Sequence, residues 1–186
     1  EVLHDKLTMR GVRVWWDRKC LKPGQPWEAG FAGGLFASSV FVPVLSKAAL
    51  KRYAELGADS WCDNVLLEQR MALELKHRGA LELIYPIMVG EVQPLGTLGD
   101  GYGNFFADGA KPTCPCVVVQ AVEDKLAEHL RRGGKGGAQT APQTVDSVLD
   151  EVLAHQGVAL SGARHDAVEH VVEEVVRMVG QVGKGE

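Results

Sequence analysis

The chain has little of what would announce a function outright. Its four cysteines, at positions 20, 62, 114 and 116 of 186 residues, show neither paired CxxC spacing nor a credible zinc set, which disfavours a disulfide framework and a structural metal site. Such cysteine usage fits a reducing, cytoplasmic setting. No run of about 18 apolar residues occurs, so no membrane-spanning helix is expected in this segment, and EVLHDKLTMRG at the start lacks the zones of a signal peptide. Neither sign of charge dominates: 20 Lys and Arg stand against 24 Asp and Glu, a formal net charge of −4, which argues against a nucleic-acid partner. No P-loop or GxGxxG follows a strand-like segment. The six histidines form no triad, and His165 and His170, five apart, are poorly spaced to capture a metal. No metal site is expected.

What is present is a sequence with 46% hydrophobic residues and an alternating pattern, enough for a real core. Residues 2–10 read as the last turns of a helix stopped by Gly11. Val12–Trp16 is β-branched and aromatic, a strand ending at Asp17, and the Pro-Gly pair of residues 18–27 makes a loop. Helical spacing runs over 27–38. The continuous apolar run at 40–45 predicts a strand buried on both faces, and Ser46 ends it. A helical stretch at 47–56, a polar loop and a longer helix from Asn64 to His77, with Asp63 as N-cap and Gly79 as stop, come next. Residues 81–89 give another strand, 90–115 a long glycine- and proline-rich connection, and Val117–Val119 a short last strand before helix 121–132. Residues 133–144 read as a flexible linker. Residues 145–186 form a helical extension whose stripes are Val145, Val148, Leu149, Val152 and Val168, Val171, Val172, Val175, Val176. Strand–helix alternation over the first 132 residues predicts an α/β fold.

The order of GVRVWWDRKCLKPGQPW, a helix ending in ASS, VFVPVLS and SWCDNVLLEQRMALEL resembles a Toll/interleukin-1-receptor (TIR) domain over about residues 1–130. The resemblance implies a flavodoxin-like parallel sheet flanked by helices, with residues 1–132 as the TIR domain. The family's first strand, central in its sheet, has no counterpart here. An upstream extension, or another segment filling the vacancy, is therefore expected, because a buried strand edge left unpaired is costly.

TIR domains are either assembly modules or enzymes that cleave NAD at the nicotinamide–ribose bond, a step that builds oxocarbenium character a carboxylate can stabilise. NAD is then a substrate, and no cofactor is implied. Glu68 is the catalytic candidate: its helical neighbours Met71, Ala72 and Leu75 are apolar or small, so its carboxylate stands on a flank suited to burial. Glu74, with Arg70 and Arg78 four residues to either side, reads as a solvated ion-pair residue. Enzymatic relatives often carry a tryptophan four residues before the glutamate. Here Asn64 holds that place and Trp61 lies seven before. Trp61 either stacks on a substrate ring or packs over the helix start. Ser46, at the carboxyl end of a strand, either contacts ligand or caps the next helix. Trp27 is a further substrate-side candidate that also suits anchoring its helix.

The resemblance also implies homotypic association with other TIR domains through the loop carrying Lys19, Leu21, Pro23 and Gly24, and a signalling or innate-defence role. The alternative to the enzyme is a non-catalytic scaffold acting through TIR–TIR contacts.

Overall fold

A computed structural model of the chain describes residues 1–24, 26–90, 113–161 and 165–182. Helix α1 (Val2–Met9) ends where the sequence predicts, with Gly11 at φ +80°, a conformation that side-chain-bearing residues rarely adopt. Val12–Trp16 joins no ladder among the described residues. The strand expected there is thus corrected: its residue types suit a strand, but pairing needs a neighbour, and Val12 and Val14 bury their side chains in an apolar cluster instead. Asp17–Cys20 makes one helical turn, α2, inside the expected loop, followed by α3 (Trp27–Phe36).

The two predicted central strands are each cut in two by a proline. β1 (Val40–Phe41) and β2 (Val44–Ser46) flank Pro43, and β3 (Leu83–Ile84) and β4 (Ile87–Gly90) flank Pro86. Their pairing is parallel, Val40 opposite Leu83 and Val44 opposite Ile87. The connection is continuous across the break, since Tyr85 N donates to Phe41 O at 2.9 Å and Ile87 N to Pro43 O at 2.9 Å. What the prolines remove is only the bond for which each lacks an N–H. Between the two strand pairs run α4 (Lys47–Leu50), a 3-10 turn over Lys51–Glu55, and α5 (Asn64–His77), which starts on its predicted cap, Asp63, and stops before Gly79 at φ +67°.

The third strand position is a second correction. Val117–Val119 forms no strand, whereas β5 (Val158–Ser161), unforeseen between the two C-terminal helices, pairs in parallel with β4. Its entry is tight: a Cβ on Gly157 would lie 2.2 Å from Pro86 O, and Val158 N donates to that same oxygen at 3.0 Å. α6 (Gln120–Arg132) and α7 (Val145–Ala154) precede it and α8 (His165–Val182) follows. The extension beyond 144 is helical as expected but contributes a strand as well.

Period-two alternation sorts the second strand pair between two cores. Ile84 and Met88 face a cluster built with α3, α5, α6 and α7, while Leu83, Tyr85, Ile87 and Val89 face one built with α1 and α8. Helices thus cover both faces of a parallel sheet, the α/β layering expected. The predicted connection at 90–115 lies, for residues 91–112, outside the described residues.

Residues 133–144 are not a free linker. Glu74 is fully buried and its carboxylate accepts from the backbone N–H of Gln139 at 2.7 Å and of Thr140 at 3.1 Å, and from the Thr140 hydroxyl. Arg78 donates to Glu74 and to the carbonyls of Lys135 and Gly137. Arg70, also fully buried, donates to Glu123 Oε1 at 2.8 Å, to Thr140 Oγ1 at 2.8 Å and to Ala141 O at 3.1 Å. The solvated role expected of Glu74 is therefore corrected. Helical spacing supplied both partners, Arg78 at 2.6 Å and Arg70 at 3.7 Å, but could not say that another segment of the chain closes over them.

Candidate functional site

Glu68 lies in the second turn of α5, half-buried, and no hydrogen bond or ion pair holds it among the described residues. Burial, then the nearby carboxylates of Asp17 and Asp63, push its pKa up to about 7. Both mechanisms disfavour the charged form, one by removing water and the other by repulsion. Asp63 is held as the α5 N-cap, accepting from Leu66 N at 3.0 Å, with Arg52 Nε 3.8 Å away. Asp17 opens α2, and its carboxylate accepts from Arg18 N at 2.7 Å. Tyr53 is fully buried with a hydroxyl that finds no partner among the described residues, and burial together with Asp63, Cys114 and Glu68 raises its pKa. Three carboxyl groups and one phenol thus share an electrostatic neighbourhood brought together from α2, the 3-10 turn and the start of α5.

The other candidate residues are dispersed. Asn64, one turn before Glu68 on α5, is exposed and shares its flank. Trp61 lies in the loop ahead of Asp63 and is 94% exposed. Ser46 spends its hydroxyl as the α4 N-cap, accepting from Ala49 N at 3.1 Å. Trp27, the first residue of α3, stacks on Phe31 with ring centroids 5.2 Å apart. Asp17, Asp63 and Tyr53 were not among the candidates. Asp17 and Asp63 were visible as a strand-end acid and a helix cap, but nothing in their spacing brings them to Glu68.

In the loop after α1, Lys19 is engaged within its own copy, donating to Asp5 at 2.5 Å and lying 5.9 Å from the Trp16 ring. Pro23 and Gly24 form an exposed turn, Gly24 at φ +80°. Leu21 lines a cleft of about 290 Å³ together with Trp15, Cys20 and the α3 residues Ala29, Gly30, Gly33, Gly34 and Ala37. Trp15 closes one side by lying directly over Gly34, where a Cβ would come within 2.3 Å of the indole. Glu68 does not line this cleft.

A parallel sheet with helices on both faces and a Pro-Gly loop after the first extended segment fit the architecture that the resemblance to TIR domains implies. Residues 1–111 match the TIR domain family, and the chain belongs to it. No curated protein matches the chain. The segments that clamp α5 and complete the sheet, residues 113–161, lie beyond the matched region. Among the described residues no helix is long and apolar enough to cross a membrane, and no group of His, Cys, Asp and Glu could hold a metal ion.

Proposed function

We propose that the chain is an NAD nucleosidase in which Glu68 stabilises the ribose as the bond to nicotinamide breaks. The observation that carries this reading is the state of Glu68: a half-buried carboxyl with no internal partner among the described residues and a pKa raised to about 7. A structural glutamate would have its charge satisfied, as Glu74 does. A desolvated carboxylate interacts strongly with a cation that forms beside it, and a cationic substrate favours its ionised form. Nicotinamide departs as a neutral molecule from a cationic precursor, so one carboxylate suffices and no strong acid is needed. Asn64 is the side chain best placed to contact the sugar with it. Product is ADP-ribose or a cyclic isomer, and the expected role is signalling through self-association in a cytoplasmic setting.

A second reading, a non-catalytic scaffold for other TIR domains, is favoured by a different observation. The 290 Å³ cleft lies at the association loop and not at Glu68. Nicotinamide release from NAD by the purified chain, followed across protein concentrations, separates the two. Activity lost in Glu68→Gln with the fold retained supports the enzyme, and no release from the wild-type chain at any concentration leaves the scaffold.

A further inference from the structure

Cys114 and Cys116 stand two residues apart, separated by Pro115, and the structure gives their thiols opposite surroundings. Cys114 is buried in the core cluster that holds Tyr53, Leu66 and Val119, whereas Cys116 is exposed at a bend. Cys114 also adds to the field that raises the Tyr53 phenol, so the two side chains are near one another. Of the four cysteines Cys116 alone is exposed. Cys20 is half-buried with its sulfur accepting from Trp16 N at 3.3 Å, and burial, then Glu28, pushes the Cys62 thiol up to about 11. An oxidant in solution therefore meets Cys116 first, because reaction needs access as well as thiolate character. The backbone here is a joint between elements. Pro115 O accepts from Asp146 N at 3.4 Å and Val117 O from Val145 N at 2.9 Å, so the carbonyls on either side of Cys116 take the first N–H groups of α7. A helix start leaves those groups without a partner of its own. The spacing also suits a bridge. A chain in the extended conformation that proline favours rises roughly 3.1 Å per residue, which sets Cα atoms two residues apart at roughly 6.2 Å, inside the roughly 4.4–6.8 Å that a disulfide spans.

We propose that Cys114 and Cys116 form a reversible redox switch that loosens the start of α7 when oxidised. Hydrogen peroxide transfers an oxygen to the Cys116 sulfur, giving a sulfenic acid and one water. The Cys114 sulfur attacks that sulfur, the S–S bond forms as the S–O bond breaks, and the hydroxide leaves as a second water with the Cys114 proton. Two thiols are thereby oxidised by two electrons and one peroxide is reduced. For the second step Cys114 must leave the core, which empties its place near Tyr53 and moves the Pro115 carbonyl away from Asp146 N. A bridge that costs a core position is readily reduced, which sets it among the labile, regulatory disulfides and not the structural ones. The inference is independent of whether Glu68 cleaves NAD.

Treating the reduced full chain with hydrogen peroxide and mapping its peptides by mass spectrometry without reduction tests this. The expected product is a Cys114–Cys116 disulfide within one chain, lighter by two hydrogens, with Cys20 and Cys62 still thiols and full reversal by dithiothreitol. Hydrogen exchange at Val145 and Asp146 should become at least about tenfold faster in the oxidised chain, while the middle of α5 keeps its rate. Cys116→Ser alters an exposed side chain and leaves the fold intact, as far-UV circular dichroism checks. In that variant Cys114 should stay a buried thiol that peroxide leaves unmodified, and exchange at Val145 should no longer respond. Four thiols that survive peroxide, Cys116 carried on to sulfinic acid beside a Cys114 thiol, a disulfide to Cys20, Cys62 or another copy, or a Cys114–Cys116 bridge with Val145 exchange unchanged overturns the proposal.

Discussion

Arg70 and Glu123, 53 residues apart in sequence, meet inside the protein with Nε 2.8 Å from Oε1. The same guanidinium reaches Thr140 and Ala141, so one buried cation joins α5, α6 and the glycine-rich segment after it. Removing one member of such a set leaves the others charged and dry. Arg70→Met is expected to cost about 3–5 kcal/mol in urea unfolding, with part of the loss recovered when Glu123→Leu is added. Lys125→Met, which breaks a half-exposed pair with Glu28 at 2.8 Å, is expected to cost no more than about 1 kcal/mol. Equal losses in the two single variants would contradict the buried clamp.

Glu74 governs the acid limb of stability. Burial works to raise its pKa, but the Thr140 hydroxyl, the N–H of Gln139, Arg78 and the N–H of Thr140 hold it down at about 2. A carboxyl lowered on folding stabilises above its unfolded pKa, about 4.3, and that contribution is lost as pH falls toward 2. Thermal melts between pH 2 and 6 should therefore show a steep acid loss in wild type. In Glu74→Gln the acid slope should be shallower, from a lower plateau, and protease should cut within 133–144 faster.

Glu68 has the opposite sign. With its pKa raised to about 7, the folded chain holds a proton that the unfolded chain has released, so stability falls as pH rises from about 4.3 to 7. Glu68→Gln removes that slope and should leave the variant more stable than wild type above pH 7, by up to about 3 kcal/mol. On the enzyme reading the same variant loses NAD cleavage, and wild-type kcat/KM rises with pH with a midpoint near 7. A variant less stable than wild type at pH 8 would mean that Glu68 is an ordinary packing residue.

Gly157→Ala tests the unforeseen strand. The added carbon would sit 2.2 Å from Pro86 O, so the chain must shift and the 3.0 Å bond from Val158 N must lengthen. A loss of about 1–3 kcal/mol is expected, with faster hydrogen exchange at Val158 than along α5.

The helices were legible because their signals are local. Asp63 as cap and Gly11 and Gly79 as stops each act within a few residues, and the structure puts those ends of α1 and α5 where these signals put them, while the valine stripe located α8 without fixing its bounds. The central strand pair was legible from continuous apolar runs, although the prolines that divide them were not read as breaks. Strand 12–16, strand 117–119 and β5 were misjudged together for one reason. Composition says that a segment can be a strand, but a ladder exists only where a neighbour offers its edge, and Val158–Ser161 rather than Val117–Val119 lies against β4. At the candidate site the glutamate could be singled out from its apolar flank, while the acids that act on it come from elsewhere in the chain.

The sequence by itself determined most of the helices and marked the two apolar runs as buried strands, because caps, stop residues and continuous apolar runs act within a few residues, and the order of its motifs carried the resemblance to TIR domains. Only the tertiary structure decided which segment takes the third place in the sheet, that residues 133–144 fold onto Arg70, Glu74 and Arg78, and that burial, with Asp17 and Asp63 adding to it, pushes the pKa of Glu68 up to about 7. These depend on which surfaces lose their water together. Desolvation is a property of the packed molecule, and no residue carries it alone.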